Sequence, residues 1–401
     1  MTDRNEPVVV ATARSPIGRA NKGNLVDVRA DELMADMINA ALAKVPEVDR
    51  TEIVDVVCGN VAQTGETGFS IGRAAAILAG LPLSVPGLTV NRFCASSLQS
   101  IRTAAHAVRA GEGDVYVACG VEKSSQPPAP EGEGKAARPP GGGIGPGGIN
   151  PKLLGQDGFP VLYIPMGLTA ENVAERYHVT REDQDAFAKL SQDRAAAAQA
   201  SGFFAREITP VTKPDGTVVD RDDCPRPETT LEALAALKPS FKPEGGSVTA
   251  GNSCPLNDGA AAVIVMSRGR AEDLGVTPLA RIVSTAVSGN EPELMGVAPI
   301  DAIPKALAGA GLTIGDIDIV ELNEAFAAQV LPVCRETGID IEGQLNPHGG
   351  AIALGHPFGM TGARIMGTLI NGLQSTDGTF GLETMCAAGG MAMAMVVERL
   401  S

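Results

Sequence analysis

Two stretches decide the reading of this chain: TEIVDVVCGNVAQ at positions 51–63 and GDIDIVELNEAFAAQ at positions 315–329. Each has an acidic approach, a short β-branched run and an Asn at the run's end, so Asn60 and Asn323 occupy corresponding places. Further along each half, a strand pattern gives way to a Gly/Ser-rich turn and a new helix, at NRFCASSLQS (91–100) and GHPFGMTGAR (355–364). Two copies of one α/β unit are the expectation, with ligands at the strand-to-helix ends.

Working outward, β-branched runs bounded by turn residues fall at Val8–Ala11, Ile53–Cys58, Leu88–Val90, Val115–Cys119 and Ala261–Met266. Helical patterns lie between them, at Asp31–Leu42 and at Ser97–Arg109, where Leu98, Ile101, Ala105 and Val108 share a face before Gly111. Strands alternating with helices predict α/β layers around a parallel or mixed sheet. From Ser124 to about Ser247 the pattern breaks. The break opens on QPPAPEGEGKAARPPGGGIGPGGINP, a Pro/Gly-dominated tract expected to cover something. No strand leads into its glycines and no GK[ST] follows, so a phosphate loop is not expected. A helix with Thr180 as N-cap and Asp183 three residues on then runs to Gly202.

The chain of 401 residues is long enough for two or three domains. Charged residues at 20% and hydrophobic residues at 44% are globular values, and a net charge of −15 argues against nucleic acid or an anionic membrane surface as partner. A local positive patch for a small anion is still compatible. The start of the chain lacks signal or transit character, and no apolar run approaches a membrane span. Seven scattered cysteines, never spaced CxxC, give neither a disulfide framework nor a zinc site, so the expectation is a reduced, cytoplasmic protein with no metal.

Cys94 stands where a strand ends and a helix starts. A helix N-terminus favours thiolate over thiol, and the small residues Ala95, Ser96 and Ser97 leave room for a substrate. A lone Cys is more often an inert core residue. Of four histidines, His106 and His178 read as structural or exposed. His356, between Gly355 and Pro357 in a Gly-dense turn, fits a Cys–His pair. Cys386, in GLETMCAAGGMAMAM, is a core Cys or a second catalytic thiol. Asn323 makes a strand-end turn or orients a water at a developing oxyanion.

Together NRFCASS, NEAF, GGAIALGHP and MCAAGG resemble the thiolase family in order and separation, and the resemblance extends over nearly the whole chain. ATARSPIG (11–18), MGLTAENVAERY (166–177) and TAGNSCPLNDGAAA (249–262) belong to it. The resemblance implies an α/β thiolase fold: two duplicated mixed-sheet halves in a layered αβαβα core with an inserted loop subdomain. The halves are expected at 1–123 plus 248–275 and at 276–401, with the loop subdomain at 124–247. It implies an acyltransferase in which Cys94 becomes the acyl-thioester and His356 activates it. His356, with a water held by Asn323, would form an enolate site. Cys386 would carry the proton to and from carbon and CoA, and the N–H groups of Cys94 and Ala388 would form a second oxyanion hole.

Substrate contacts are implied for Arg226, Met166, Cys254 and Phe326. No cofactor is implied, since coenzyme A is a substrate. The expected partners are 3-ketoacyl-CoA and CoA and a second or further copies in a homodimer or homotetramer; a hydratase/dehydrogenase subunit of a fatty acid β-oxidation complex is compatible with the same reading.

Three positions depart from the family pattern: His348 replaces Asn, Ala388 replaces Gly, and Cys254 replaces Ser. Pro165 before Met166–Gly167, where acetoacetyl-CoA-forming members carry His, leans towards degradative thiolysis of 3-ketoacyl-CoA. The biosynthetic acetoacetyl-CoA thiolase is the alternative. A decarboxylating ketosynthase would pair its Cys with two histidines and lack the Cys386 motif. A non-catalytic acyl-CoA or sterol carrier would have lost one of the three central residues.

Overall fold

The computed structural model describes residues 3–125 and 148–401. The Pro/Gly tract expected to act as a cover falls mostly outside the described residues. The strands in chain order are β1 (Pro7–Arg14), β2 (Gly18–Arg19), β3 (Ile53–Gly59), β4 (Gly87–Val90), β5 (Val115–Lys123), β6 (Val211–Thr212), β7 (Val218–Val219), β8 (Asn257–Ser267), β9 (Ala280–Gly289), β10 (Ile319–Leu322), β11 (Phe380–Ala387) and β12 (Met391–Arg399). The helices are α1 (Ala30–Leu42), α2 (Ile71–Leu78), α3 (Ser96–Ala110), α4 (Met166–Tyr177), α5 (Arg181–Ala200), α6 (Leu231–Ala235), α7 (Arg268–Leu274), α8 (Pro299–Ala310), α9 (Ala327–Thr337), α10 (Ala351–Leu354) and α11 (Thr361–Thr376).

The duplication is visible in the strand order. One half runs β4-β3-β5-β8-β1 and the other runs β10-β11-β12-β9, so the halves mirror each other and meet where β1 pairs with β9 through Val8–Arg281 and Val9–Ala280. In each half the first two strands are parallel, β3 with β5 and β10 with β11, and the next pairing is antiparallel, β5 with β8 and β11 with β12. The place of β4 beside β3 is taken in the second half by a single parallel bridge from Val320 to Leu345.

Side-chain alternation sorts these strands into layers. Along β8, Ala260, Ala262, Ile264 and Met266 face an outer core with α1 and α2, while Ala261, Val263 and Val265 face a middle core. That middle core holds α3 and α11 and is completed from the second half by Met385, Ala387, Met393 and Met395. A further outer core packs α8 and α9 against β10, β11 and β12. The layers are therefore helix, sheet, helix, sheet, helix. Leu98, Ile101, Ala105 and Val108 of α3 are all buried in the middle layer, as their spacing predicts.

Between β5 and β8 the chain adds α4, α5 and α6, and both α4 and α5 lie against α9 of the second half. The predicted cap of α5 is present: Thr180 and Asp183 form a reciprocal capping box, and Gly202 follows the helix with φ +77°. Among the described residues, no helix is long and apolar enough to cross a membrane.

Candidate active site

Strand ends and helix starts of both halves converge on Cys94. The chain leaves β4 and turns sharply at Phe93, whose φ of +47° is a left-handed conformation costly for a side-chain-bearing residue. Two hydrogen bonds hold the turn: Phe93 N donates to Asn91 Oδ1 (2.9 Å), and Ser96 Oγ donates to Phe93 O (2.6 Å). This places Cys94 two residues before α3, partly exposed.

Around its sulfur lie its own N–H and that of Ala388, both favouring thiolate, and Cys386 and Glu122, both opposing it. Removal from water outweighs the N–H groups, so the Cys94 thiol is pushed well above its ordinary range. The N–H groups act in the direction expected of the helix start, but burial outweighs them. Cys94 rests as a neutral thiol and becomes a nucleophile only as its proton leaves.

Ala388 follows β11 in the turn to β12. The positive φ values fall on Gly389 (+82°) and Gly390 (+76°), and Ala388 itself keeps ordinary backbone geometry. Its Cβ is therefore accommodated without strain while its N–H points at the Cys94 sulfur.

His356 is 1% exposed and fixed on three sides. Its backbone N–H donates to Asn257 Oδ1 (2.9 Å), its Nδ1 meets Thr361 Oγ1 (2.6 Å), and its Nε2 meets Asn323 Nδ2 (3.3 Å). Thr361 Oγ1 donates to Pro357 O (2.8 Å), so it accepts from Nδ1–H, and Nε2 carries the lone pair that faces the Asn323 amide. Burial, aided by the Arg364 charge, lowers the imidazole pKa to about 3, so His356 is neutral at rest. Among the described residues no hydrogen bond joins Cys94 Sγ to His356. Asn323 is held by its N–H on Thr384 O (3.0 Å), and its Oδ1 is buried without a partner.

Cys386, at the end of β11, is buried, and burial raises its thiol to about 12. Its Sγ donates to Gln329 Oε1 at 3.8 Å. Cys386 shares one apolar cluster with Met166, Cys254 and Phe326. Cys254 lies within electrostatic reach of both Cys94 and Cys386, and its N–H is tied to Ala325 O (3.0 Å). Phe326 packs edge-on against Phe241, with ring centroids 6.0 Å apart.

Arg226 stands apart from this cluster, on an open groove lined also by Arg19, Gln192, Cys224, Leu234 and Pro255. Its N–H donates to Gln192 Oε1 (2.8 Å). Pro255, on this groove, follows Cys254 directly in the chain.

His348, left open by the sequence, is remote from this chemistry. Its ring stacks on Phe203 at 3.5 Å and 9°, with Arg206 over the same phenyl ring at 5.1 Å. Burial brings its pKa down to about 4, so it serves as a neutral packing group. Among the described residues, no cluster of three or more His, Cys, Asp or Glu could hold a metal ion. Sequence reasoning missed Thr361, Asn257 and Gln329. Each lies inside a motif already singled out, but each acts through a contact that no one-dimensional spacing displays.

The thiolase N-terminal domain model matches residues 7–269, and the thiolase C-terminal domain model matches residues 276–399. A β-ketoadipyl-CoA thiolase of Acinetobacter baylyi is 45% identical, covering 98% of this chain and 99% of the relative. A 3-ketoacyl-CoA thiolase of Saccharophagus degradans is 44% identical, covering 98% of each. The structure of the dimeric peroxisomal thiolase of Saccharomyces cerevisiae superposes with a TM-score of 0.88 at 36% identity, covering 100% of this chain and 98% of the other. With both family models matched, thiolase relatives over its full length and the layered fold shared, this chain belongs to the thiolase family and is an acyltransferase.

Proposed function

We propose that the protein cleaves 3-ketoacyl-CoA with CoA, giving acetyl-CoA and a shortened acyl-CoA, through a thioester on Cys94. The observation that carries this reading is the convergence on Cys94 of the Ala388 N–H and the Cys386 thiol, with His356 and Asn323 joined nearby. Carbon–carbon cleavage needs a nucleophile, an enolate site and a separate proton carrier, and those are the groups assembled.

In the first half-reaction Cys94 Sγ attacks the C3 carbonyl carbon as its proton passes to His356 Nε2. The N–H groups of Cys94 and Ala388 hold the resulting oxyanion. The C2–C3 bond breaks, and its electron pair becomes the acetyl-CoA enolate, whose oxygen faces the His356 Nε2–H and a water on Asn323. Cys386 gives its proton to C2, and acetyl-CoA departs. In the second half-reaction the Cys386 thiolate takes the proton of incoming CoA. The CoA sulfur attacks the Cys94 thioester, acyl-CoA leaves, and His356 returns the proton to Cys94. The chemistry calls for no metal or redox cofactor. Arg226 and Arg19 would hold the anionic end of CoA, while Met166, Cys254 and Phe326 would line its reactive end.

The degradative assignment rests on Pro165 before Met166–Gly167 and on the names of the relatives. The β-ketoadipyl-CoA thiolases among them favour a second reading, in which the acyl chain ends in a carboxylate and comes from aromatic breakdown. A panel of acetoacetyl-CoA, longer straight-chain 3-ketoacyl-CoA and 3-oxoadipyl-CoA, scored by kcat/KM, separates these. Rapid cleavage of acetoacetyl-CoA with rejection of every longer substrate would overturn the degradative reading.

A second copy of the chain is the proposed partner. Phe69, Ile77, Leu78, Leu83 and Phe93 are exposed around the edge strand β4, an apolar face suited to burial in a dimer. Light scattering on the native protein separates a particle of twice 41.0 kDa from a tetramer or a β-oxidation complex with a hydratase/dehydrogenase subunit.

A further inference from the structure

The duplication supplies a pseudo-site against which the active site can be compared. The registers pair Gly59 with Gly120 in the first half and Leu322 with Thr384 in the second. Counting on from these pairs, Asn60 corresponds to Asn323, and Glu122 to Cys386. Counting back from the first residues of α3 and α11, Cys94 corresponds to Gly359, and Asn91 to His356. The four candidate site positions therefore have four counterparts: Asn60, Asn91, Glu122 and Gly359.

The counterparts are closed. A Cβ at Gly359 would lie 2.3 Å from Val121 O and 2.7 Å from Gly59 O, so the turn before α11 is pressed onto the ends of β3 and β5. No substrate fits there. Glu122, 1% exposed, fills the position that Cys386 holds in the other half. Its Oε2 accepts from Gly359 N (2.8 Å) and Val61 N (3.1 Å), and its Oε1 accepts from Ala62 N (2.9 Å). Gly359 is three residues beyond His356 and two before Thr361, the residue that fixes the imidazole.

We propose that Glu122 is a positioning residue: its carboxylate clamps the turn that carries His356 and Thr361 to the strand ends of the other half, setting His356 against Cys94. Glu122 makes no contact with the substrate in the proposed reaction; it acts through the Gly359 N–H. This inference rests on the thiolase reading above and deepens it. The titratable groups facing Glu122 are Asp258 from β8, itself 3.6 Å from Lys123 Nζ, and the Cys94 thiol just before α3. Burial raises the Glu122 carboxyl to about 7, and a proton on it removes one acceptor from the clamp.

The experiment is steady-state thiolysis by wild type, Glu122→Gln and Glu122→Asp across pH 5.5–9. Displacement of a catalytic group by about 1 Å costs on the order of 100-fold, so Glu122→Gln should lose about 10- to 100-fold in kcat with KM for CoA within about twofold. Wild type should show an acid limb in kcat near pH 7. Glu122→Gln should lack it, while Glu122→Asp should keep it at reduced kcat. A folded Glu122→Gln enzyme with kcat within twofold of wild type and the limb unchanged would overturn the proposal.

If Glu122→Gln does not fold, hydrogen exchange of the 356–362 amides in the wild-type enzyme decides. Protection there should weaken as pH falls through 7, after correction for intrinsic rates, and protection independent of pH would overturn the clamp. Wild-type protein inactive on every 3-ketoacyl-CoA would instead sink the functional reading beneath it.

Discussion

Replacing Thr361 by Val tests the proposed base at its least obvious point. The two side chains have nearly the same shape, so the change removes a hydroxyl and little else. In the native protein Thr361 Oγ1 accepts from His356 Nδ1–H at 2.6 Å and passes its own proton to Pro357 O at 2.8 Å. Both residues are almost wholly buried, so no water replaces the lost acceptor. Leaving a buried N–H without a partner costs about 1–3 kcal/mol. The imidazole escapes that cost by moving its proton to Nε2, but Nε2–H cannot take the proton of Cys94.

The competent tautomer is thus disfavoured by about the orphan cost, which converts at 1.36 kcal/mol per tenfold into a loss of roughly 5- to 150-fold in kcat. KM for CoA should hardly change, because His356 is separate from the groove that carries Arg226. Stopped-flow acylation of Cys94, with melting curves to confirm folding, reads the effect. Thr361→Ser, which restores the hydroxyl, should recover most of the rate. A folded Val variant acylating within twofold of wild type would refute the tautomer argument and the base assigned through it.

Other expectations follow from the same contacts. Cys94→Ser should abolish acyl-enzyme formation, read by mass spectrometry after mixing with acyl-CoA; a retained adduct elsewhere would move the nucleophile. Cys386→Ala should keep acylation by simple acyl-CoA and lose carbon–carbon cleavage, and near-normal thiolysis would end its proton-carrier role. Leu98→Ala, opening a hole where α3 meets Gly362 of α11, should cost about 2–5 kcal/mol in denaturant unfolding.

The pH dependence of stability has a definite sign. Burial raises Glu122 to about 7 and Glu321 to about 8, and raises Glu324 and Glu383 as well. The folded state therefore keeps protons that the unfolded chain releases above about 4.5, and stability falls as pH rises through 4.5–8. His356 and His348, lowered to about 3 and 4, act oppositely below pH 6.5, where only the unfolded chain takes up their protons. Above 6.5 the carboxyl groups dominate and the raised buried thiols act in the same direction as pH nears 9, so the melting midpoint should be higher at pH 6.5 than at pH 8.5. Glu321→Gln should flatten the difference, and an unchanged slope in that variant would remove Glu321 from the account.

How much of this was readable beforehand divides along physical lines. Period-two runs and capped helices are local signals, so the strands around Val8, Ile53 and Val115 and the capping box at Thr180 fell where the sequence put them. Cys94, His356, Asn323 and Cys386 were nameable because each ends an element or sits in a dense turn; the structure sets Cys94 within electrostatic reach of Cys386 and joins Asn323 to His356. At Cys94 the helix start that favours thiolate is visible in sequence, whereas the burial that outweighs it is not. His348 was ambiguous for the same reason: its partner Phe203 lies far away in the chain, and stacking leaves no spacing to read. Thr361 was hidden despite being close in sequence, since only the turn geometry reveals which of its neighbours it touches.

The duplicated architecture itself accounts for a single reactive centre. Twofold-related strand ends would offer two equivalent sites if both helix starts stood clear of the sheet. They do not. At Gly359 the helix start descends until backbone meets backbone, and a carboxylate rather than a thiol binds the freed N–H groups. At Cys94 the start is set by the strained turn at Phe93, and the Ala388 N–H and the Cys386 thiol face its sulfur instead. A side chain larger than hydrogen at 359 would force the closed copy apart and move His356 with it. The closed copy thus has a task in the open one: its rigidity fixes the imidazole, and the fold gives up one potential site to position the other.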